Sequence, residues 1–174
     1  TLGHEIAGTI VKVGKKVKKF KINDKIALGA EIGCGVCVYC NTNRIDFCDN
    51  QKSVGTIIDG GFADFFLIDS NFINNGPIIK LDKNSDMSLA CLSESVACVI
   101  NGIEIAKQNK FHSVVILGCG YMGLIFSYVL KKMYNTDTIF IIDNNSKRLQ
   151  IAKQFGVKST LCINLKEKNI SEKI

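Results

Sequence analysis

Two hydrophobic rhythms follow one another along the chain. From Ile6 to Leu28, β-branched residues come in short pieces: Ile6, Thr9, Ile10, Val11, Val13 and Val17, then Ile26 to Leu28. Gly14 and the turn-forming pair Asn23-Asp24 interrupt them. Runs of that length and make-up predict the strands of a small β-barrel or sandwich. Residues 30–50 carry no usable period and are crowded with Cys, Gly and Asn, so a loop ordered by something other than a core is expected there. Gly60-Gly61 opens a further β segment, Phe62 to Ile68, and Pro77 to Leu81 makes another. Asp82 to Ser88 reads as a polar turn into a long helix, roughly Met87 to Lys107, with good helix formers and no proline.

Beyond that helix the rhythm changes. An apolar strand, Val114 to Leu117, runs into a glycine-rich turn, and a helix from Leu124 to Tyr134 follows. A second apolar strand, Thr138 to Ile142, leads to a helix from Ser146 to Phe155 that stops at Gly156. This β-α-β-α series predicts a parallel sheet with right-handed crossovers. The class is therefore α/β in the second part and β-rich in the first, divided near Ser95 into domains of residues 1–95 and 96–174.

Composition narrows the chemistry. With 174 residues, 47% apolar and 22% charged, the chain can bury a real core. No apolar run approaches the ~20 residues of a spanning helix, so no membrane partner is expected. The net charge of +6 comes from lysines such as Lys15, Lys16, Lys18 and Lys19, without arginine runs or interleaved aromatics; a solvated turn edge is the reading, not nucleic-acid binding. The first residue is Thr1, and the last follows a Lys/Glu-rich stretch, so both ends read as cut or processed and a fragment is expected.

Eight cysteines in so core-rich a chain suggest a reducing cytoplasm rather than a disulfide scaffold. Cys34, Cys37, Cys40 and Cys48 follow the spacing C-x2-C-x2-C-x7-C. Four thiolates on a short loop can close a tetrahedral zinc site with Zn–S distances of about 2.3 Å, which leaves no position for substrate and makes the role structural. Two disulfides, four unbound thiols and an iron–sulfur cluster are the competing readings. The ferredoxin run continues with x3 to a Cys-Pro, whereas here Cys48 comes after seven residues and precedes Asp49. Cys91, Cys98, Cys119 and Cys162 read as buried small apolar residues.

Gly118-Cys119-Gly120-Tyr121-Met122-Gly123 matches G-x-G-x-x-G between a strand and a helix, and Asp143 lies twenty residues past Gly123 at the end of the next strand. That context predicts a dinucleotide site. Gly118 permits the turn, Gly120 admits the pyrophosphate, Gly123 lets helix pack on strand, and Asp143 takes the ribose hydroxyls and repels a 2′-phosphate, favouring NAD over NADP. Arg148 and Lys147 are close enough in sequence to soften that preference. His112 reads as a surface residue. His4, its neighbour Glu5, and Glu94 in an otherwise small and apolar helix are candidate ligands of a catalytic zinc, against ordinary structural or solvent-facing roles.

Taken in order, the motifs resemble the zinc-containing medium-chain dehydrogenase/reductase family. The stretches that carry the resemblance are Gly3-His4-Glu5-Ile6-Ala7-Gly8, the series from Val13-Gly14 to Asn23-Asp24-Lys25-Ile26, the four-cysteine lobe at about 30–50, Asp59-Gly60-Gly61-Phe62-Ala63-Asp64-Phe65, the helix around Glu94, and Gly118 to Gly123 with Asp143. The resemblance implies a partial GroES-like catalytic domain followed by the first half of a Rossmann doubly wound sheet. His4 then looks like the family's histidine ligand of catalytic zinc, Glu5 like the adjacent glutamate, and Glu94 like the acidic ligand of the sorbitol dehydrogenase-like branch.

It implies, further, hydride transfer between a polyol or secondary alcohol and NAD, with zinc polarising the alcohol oxygen, in an enzyme that forms homo-dimers or tetramers. Alcohol and threonine dehydrogenases are alternatives inside the family, and a non-catalytic zinc- and nucleotide-binding remnant is the alternative outside it. The family's cysteine ligand would lie upstream of Gly3 and the later cofactor-domain strands beyond Ile174, so this stretch alone is expected to be inactive. Ser95, Tyr121-Met122 and Asn23 depart from the family pattern without removing a ligand or a required glycine.

Overall fold

The computed structural model describes residues 1–106, 112–157 and 159–162. The chain divides into two compact units, Thr1–Glu94 and Ser95–Ile174.

In the first unit, β1 (Ile6–Thr9), β2 (Lys25–Leu28) and β5 (Ile78–Lys80) form an antiparallel sheet in the order β1-β2-β5, with Ile6 opposite Leu28 and Leu28 opposite Ile78. A two-stranded ribbon pairs β3 (Glu31–Ile32) with β4 (Lys52–Ser53). One core holds them together, built on Phe20, Ile26, Leu28, Ile32, Val54 and Phe72. Phe72 reaches it from α2 (Ser70–Asn75), which Asp69 caps by accepting a hydrogen bond from Phe72 N at 2.7 Å.

The β1–β2 connection is a closed loop. Ile10 N donates to Asp24 O and Asn23 N to Ile10 O. Asn23 holds φ of 71°, a left-handed conformation that asparagine tolerates better than most non-glycine residues, so the turn forms with asparagine at this position. Asp24 beside it is buried and paired with Lys80 Nζ at 2.8 Å. That hydrogen bond from Lys80 holds the Asp24 carboxyl below its ordinary range.

Three local expectations are corrected. Residues 30–50 are not a bare loop: besides β3 they contain α1 (Val38–Asn41), with Cys37 as its N-cap, and a 3-10 turn at Ile45–Phe47. Residues 62–68 form no strand. Phe66 and Ile68 do pack on the core while Phe65 and Leu67 are exposed, so the alternation is real, but no ladder forms alongside them among the described residues. The expected helix from Met87 is two helices, α3 (Met87–Ala90) and α4 (Ser93–Ala106), and its expected end at Lys107 lies outside the described residues. Serines, which compete for backbone groups and favour helix ends, stand at 88, 93 and 95 around the break.

In the second unit β6 (Ser113–Leu117), β7 (Thr138–Asp143) and β8 (Ser159–Cys162) form a parallel sheet in that order, with α5 (Tyr121–Lys132) and α6 (Ser146–Gln154) as crossovers. Val99 and Ile103 of α4 join Val129, Leu130, Ile139, Ile141, Leu149 and Ala152 in its core. Among the described residues no helix is long and apolar enough to cross a membrane.

The isolated cysteines do not all behave as small core residues. Cys119 is buried, Cys91 is half-buried, Cys98 is exposed, and the side chain of Cys162 lies outside the described residues. His112 is on the surface as expected, 3.3 Å from Asp137.

Candidate functional site

Residues 1–5 enter the first unit through a close backbone contact. Gly60 N donates to Thr1 O, Phe62 N to Leu2 O and Gly61 N to Gly3 O, at 2.8–3.0 Å. A Cβ on Gly60 would sit 2.4 Å from the carbonyl oxygens of Leu2 and Gly3, so only glycine lets the chains meet. This contact fixes the segment before β1 that carries His4 and Glu5.

Glu94, in the first turn of α4, faces His4. Its Oε2 lies 4.0 Å from His4 Nε2, and the carboxylate is only 22% exposed. That oxygen is buried and has no hydrogen-bond partner. Desolvation pushes the Glu94 carboxyl above its ordinary range; the His4 imidazole opposes the shift, and Glu5 and Glu31 add to it. A buried carboxylate oxygen without a donor is costly unless a cation satisfies it. The solvent-facing reading of Glu94 is therefore excluded, and a dication between Glu94 and His4 fits the donor set.

Glu5 does not converge with this pair. Among the described residues, the four cysteines are the one group of three or more His, Cys, Asp or Glu donor atoms lying within 4.8 Å of one another. Glu5 instead lines a cavity of about 360 Å³ with Ala7, Phe62, Met87 and Cys91.

The cysteine cluster is assembled by backbone as much as by sulfur. Cys37 Sγ accepts a hydrogen bond from Cys40 N at 3.5 Å, and Cys34 and Cys40 bring their sulfurs to 3.9 Å. Four sulfurs at 2.3 Å from a tetrahedral zinc are about 3.8 Å apart, so the spacing suits that metal. Gly33 clears the way, since a Cβ there would lie 2.6 Å from Cys40 Sγ. The Val36 and Cys37 amides stabilise the Cys34 thiolate and bring its pKa down to about 6. The Gly35 amide acts in the same sense on Cys40, but burial and the neighbouring sulfurs outweigh it and push that thiol up to about 11. The cluster thus offers a ready thiolate at Cys34, and a bound cation would favour ionisation of Cys40.

In the second unit the glycine-rich turn has the expected form. Gly118 holds φ of +98°, and a Cβ on Gly123 would lie 2.0 Å from Gly118 O. Nothing stands within 4 Å of a Cβ position on Gly120, the N-cap of α5, so a ligand can approach the backbone there. Tyr121 and Met122 are partly exposed beside it.

Asp143 is buried at the end of β7, and its role was not legible in full from the sequence. Its Oδ2 accepts Cys119 N at 2.6 Å and its Oδ1 accepts Asn145 N at 2.7 Å, so it braces the turn between Gly118 and Gly120. Arg148 Nη1 lies 3.9 Å from Oδ2. A carboxylate offers about four acceptor positions, so these bonds leave capacity for ligand hydroxyls.

Comparison with known proteins finds likenesses of sequence and fold. Residues 1–78 match the alcohol dehydrogenase GroES-like domain. The sorbitol dehydrogenase of Halalkalibacterium halodurans is 31% identical over 158 residues, covering 90% of this chain and 45% of that protein. The L-threonine 3-dehydrogenase of Symbiobacterium thermophilum is 33% identical over 157 residues, covering 90% of this chain and 42% of that protein. A short chain alcohol dehydrogenase from Escherichia coli CFT073, solved with NADH, superposes with a TM-score of 0.84 at 25% identity, covering 98% of this chain and 49% of the other. The chain spans less than half the length of each.

Proposed function

This chain belongs to the zinc-containing medium-chain dehydrogenase/reductase family, with its GroES-like domain at residues 1–78, and we propose that it is part of an NAD-linked dehydrogenase of polyols or secondary alcohols. The observation that carries the reading is the buried, unpartnered Glu94 Oε2 facing His4 Nε2. A carboxylate in that position is what the polyol branch of the resemblance implies, and the sorbitol dehydrogenase relative points the same way.

In this reading His4 and Glu94 hold a catalytic zinc, which when bound supplies Lewis acidity toward the substrate oxygen. His4 binds as neutral imidazole and Glu94 as carboxylate, with Glu5 adding negative charge from behind. Cys34, Cys37, Cys40 and Cys48 hold a second zinc that orders the lobe. Gly118, Gly120, Tyr121, Met122 and Gly123 receive the NAD pyrophosphate at the start of α5, while Asp143 and Arg148 meet the adenosine ribose. The functional domains are residues 1–95 and 96–174, and the complete enzyme is a cytoplasmic homo-oligomer.

Elemental analysis of the complete gene product beside this 174-residue chain, followed by an oxidation screen of polyols and alcohols with NAD, tests the reading. Two zincs in the complete protein, one in this chain and turnover of a polyol are expected. One zinc in both, without turnover, favours a non-catalytic remnant; iron in either overturns the account of the cysteines.

A further inference from the structure

The loop that joins β1 to β2 carries Lys12, Lys15, Lys16, Lys18, Lys19 and Lys21, and no acidic residue stands between Glu5 and Asp24. The structure gathers these lysines rather than scattering them. The bonds between Ile10 and both Asn23 and Asp24 close the base of the loop, and a turn from Gly14 O to Val17 N at 3.0 Å tightens its tip. All six lysines are exposed. The acid at the base, Asp24, is buried and forms its ion pair with Lys80; of the six loop lysines it acts electrostatically on Lys21.

The same pairing at the base brings the two legs together at Val11 and Ile22, which are 62% and 55% exposed. Val11 and Ile22, next to Lys12 and Lys21 in sequence, thus add exposed apolar side chains to a loop of exposed positive charges.

We propose that this loop is a peripheral docking surface for anionic lipid headgroups, independent of the zinc and nucleotide sites. Several lysines on one exposed loop attract a negatively charged bilayer surface additively, and apolar side chains among them can enter the headgroup boundary. A single-stranded nucleic acid is the less suitable polyanion. The loop offers no arginine and no exposed aromatic face for a base, its one aromatic residue, Phe20, being buried in the core.

The test is co-flotation of the chain with phosphatidylcholine vesicles, with and without about a third phosphatidylserine, at low and high salt. Binding is expected only with phosphatidylserine and should fall at least about tenfold when salt is raised to about 0.5 M. The combined variant Lys15→Glu, Lys16→Glu, Lys18→Glu, Lys19→Glu should lose it by a similar factor while keeping metal content and melting temperature. If that variant folds poorly, the neutral set Lys→Gln at the same four positions serves, with a smaller loss expected. Equal binding to both vesicle types, or unchanged binding by a folded variant, overturns the proposal. Binding to a polyuridine strand without binding to vesicles overturns it in favour of a nucleic acid.

Discussion

Glu94 Oε2 and His4 Nε2 stand 4.0 Å apart, one a buried acceptor without a donor among the described residues and the other an imidazole nitrogen that faces it. The distance is too long for a hydrogen bond, and a small approach of the two side chains would let both atoms serve as donors to one zinc ion. A site of this kind stores an electrostatic cost in the metal-free chain and recovers it on binding.

That cost has a pH signature. Burial raises the Glu94 carboxyl above its unfolded value, so its contribution to stability is largest below the unfolded pKa and is lost as pH rises through the folded pKa. Asp24, Asp59 and Asp86 have lowered values and act in the opposite sense, losing stability as pH falls. The comparison must therefore be between wild type and Glu94→Gln without metal. The variant's relative stability should rise as pH increases from about 4 to 7. Parallel curves of urea midpoint against pH would remove the electrostatic argument for a cation at this position.

The cysteine lobe makes a separate prediction about protons. Cys34 is already ionised at neutral pH, whereas Cys40 is not. Zinc binding at pH 7.5 should therefore release fewer than four protons per site, measured by calorimetry in buffers of different ionisation enthalpy. Brief iodoacetamide treatment of the metal-free chain should label Cys34 before Cys40, and zinc should protect both. Preferential labelling of Cys40 would contradict the assignment.

Cys40→Ser should remove metal from the lobe and lower its melting temperature by on the order of 10 °C, since a structural zinc site supplies several kcal/mol of folding energy. The second unit should be unaffected. Unchanged metal content and stability would show that the four sulfurs converge without a metal.

In the glycine-rich turn, Gly123→Ala places a methyl group against Gly118 O, a backbone atom that cannot swing aside as a side chain could. A loss of about 3 kcal/mol is expected in the second unit, from overpacking against the Gly118 backbone. Gly118→Ala meets no atom but must hold φ of +98°, and about 1–2 kcal/mol is expected. Reversal of that order in urea denaturation would mean that the turn relaxes.

Asp143→Asn removes the charge but keeps only one of the two bracing bonds, because its amide nitrogen cannot accept from Cys119 N or Asn145 N. NAD affinity should fall about tenfold and NADP affinity less, because repulsion of the 2′-phosphate disappears with the charge. Arg148→Ala should do the reverse, costing NADP more. Equal losses for both cofactors in each variant would separate Asp143 from cofactor choice.

Spacing carries much of this molecule openly. The four cysteines, the glycines of the turn and the strand-terminal Asp143 are legible because metal geometry and pyrophosphate approach constrain local sequence. The sheets were legible where partners lie within the chain, as at Ile6 and Leu28 or Ile116 and Ile141. Phe62 to Ile68 misled because alternation reports which side faces the core, and a strand also needs a neighbour. Glu94 was ambiguous because its setting depends on His4, ninety positions away in sequence, and no local period encodes that approach. The bracing by Asp143 was hidden for a similar reason, since a carboxylate that binds a ligand and one that ties two backbone amides look alike in one dimension.

The meeting of Gly60 and Gly61 with residues 1–3 bears on the order in which the molecule forms. His4 reaches its place only after a loop of almost sixty residues has closed, and the cysteine lobe lies inside that loop. Contacts so far apart in sequence are slow to find one another, whereas the cysteines are near neighbours and can gather around an ion early. Loading the lobe before closure shortens the free path that the chain must search. Refolding with zinc present from the start should therefore bring the His4 segment home faster than adding the metal after the chain has collapsed.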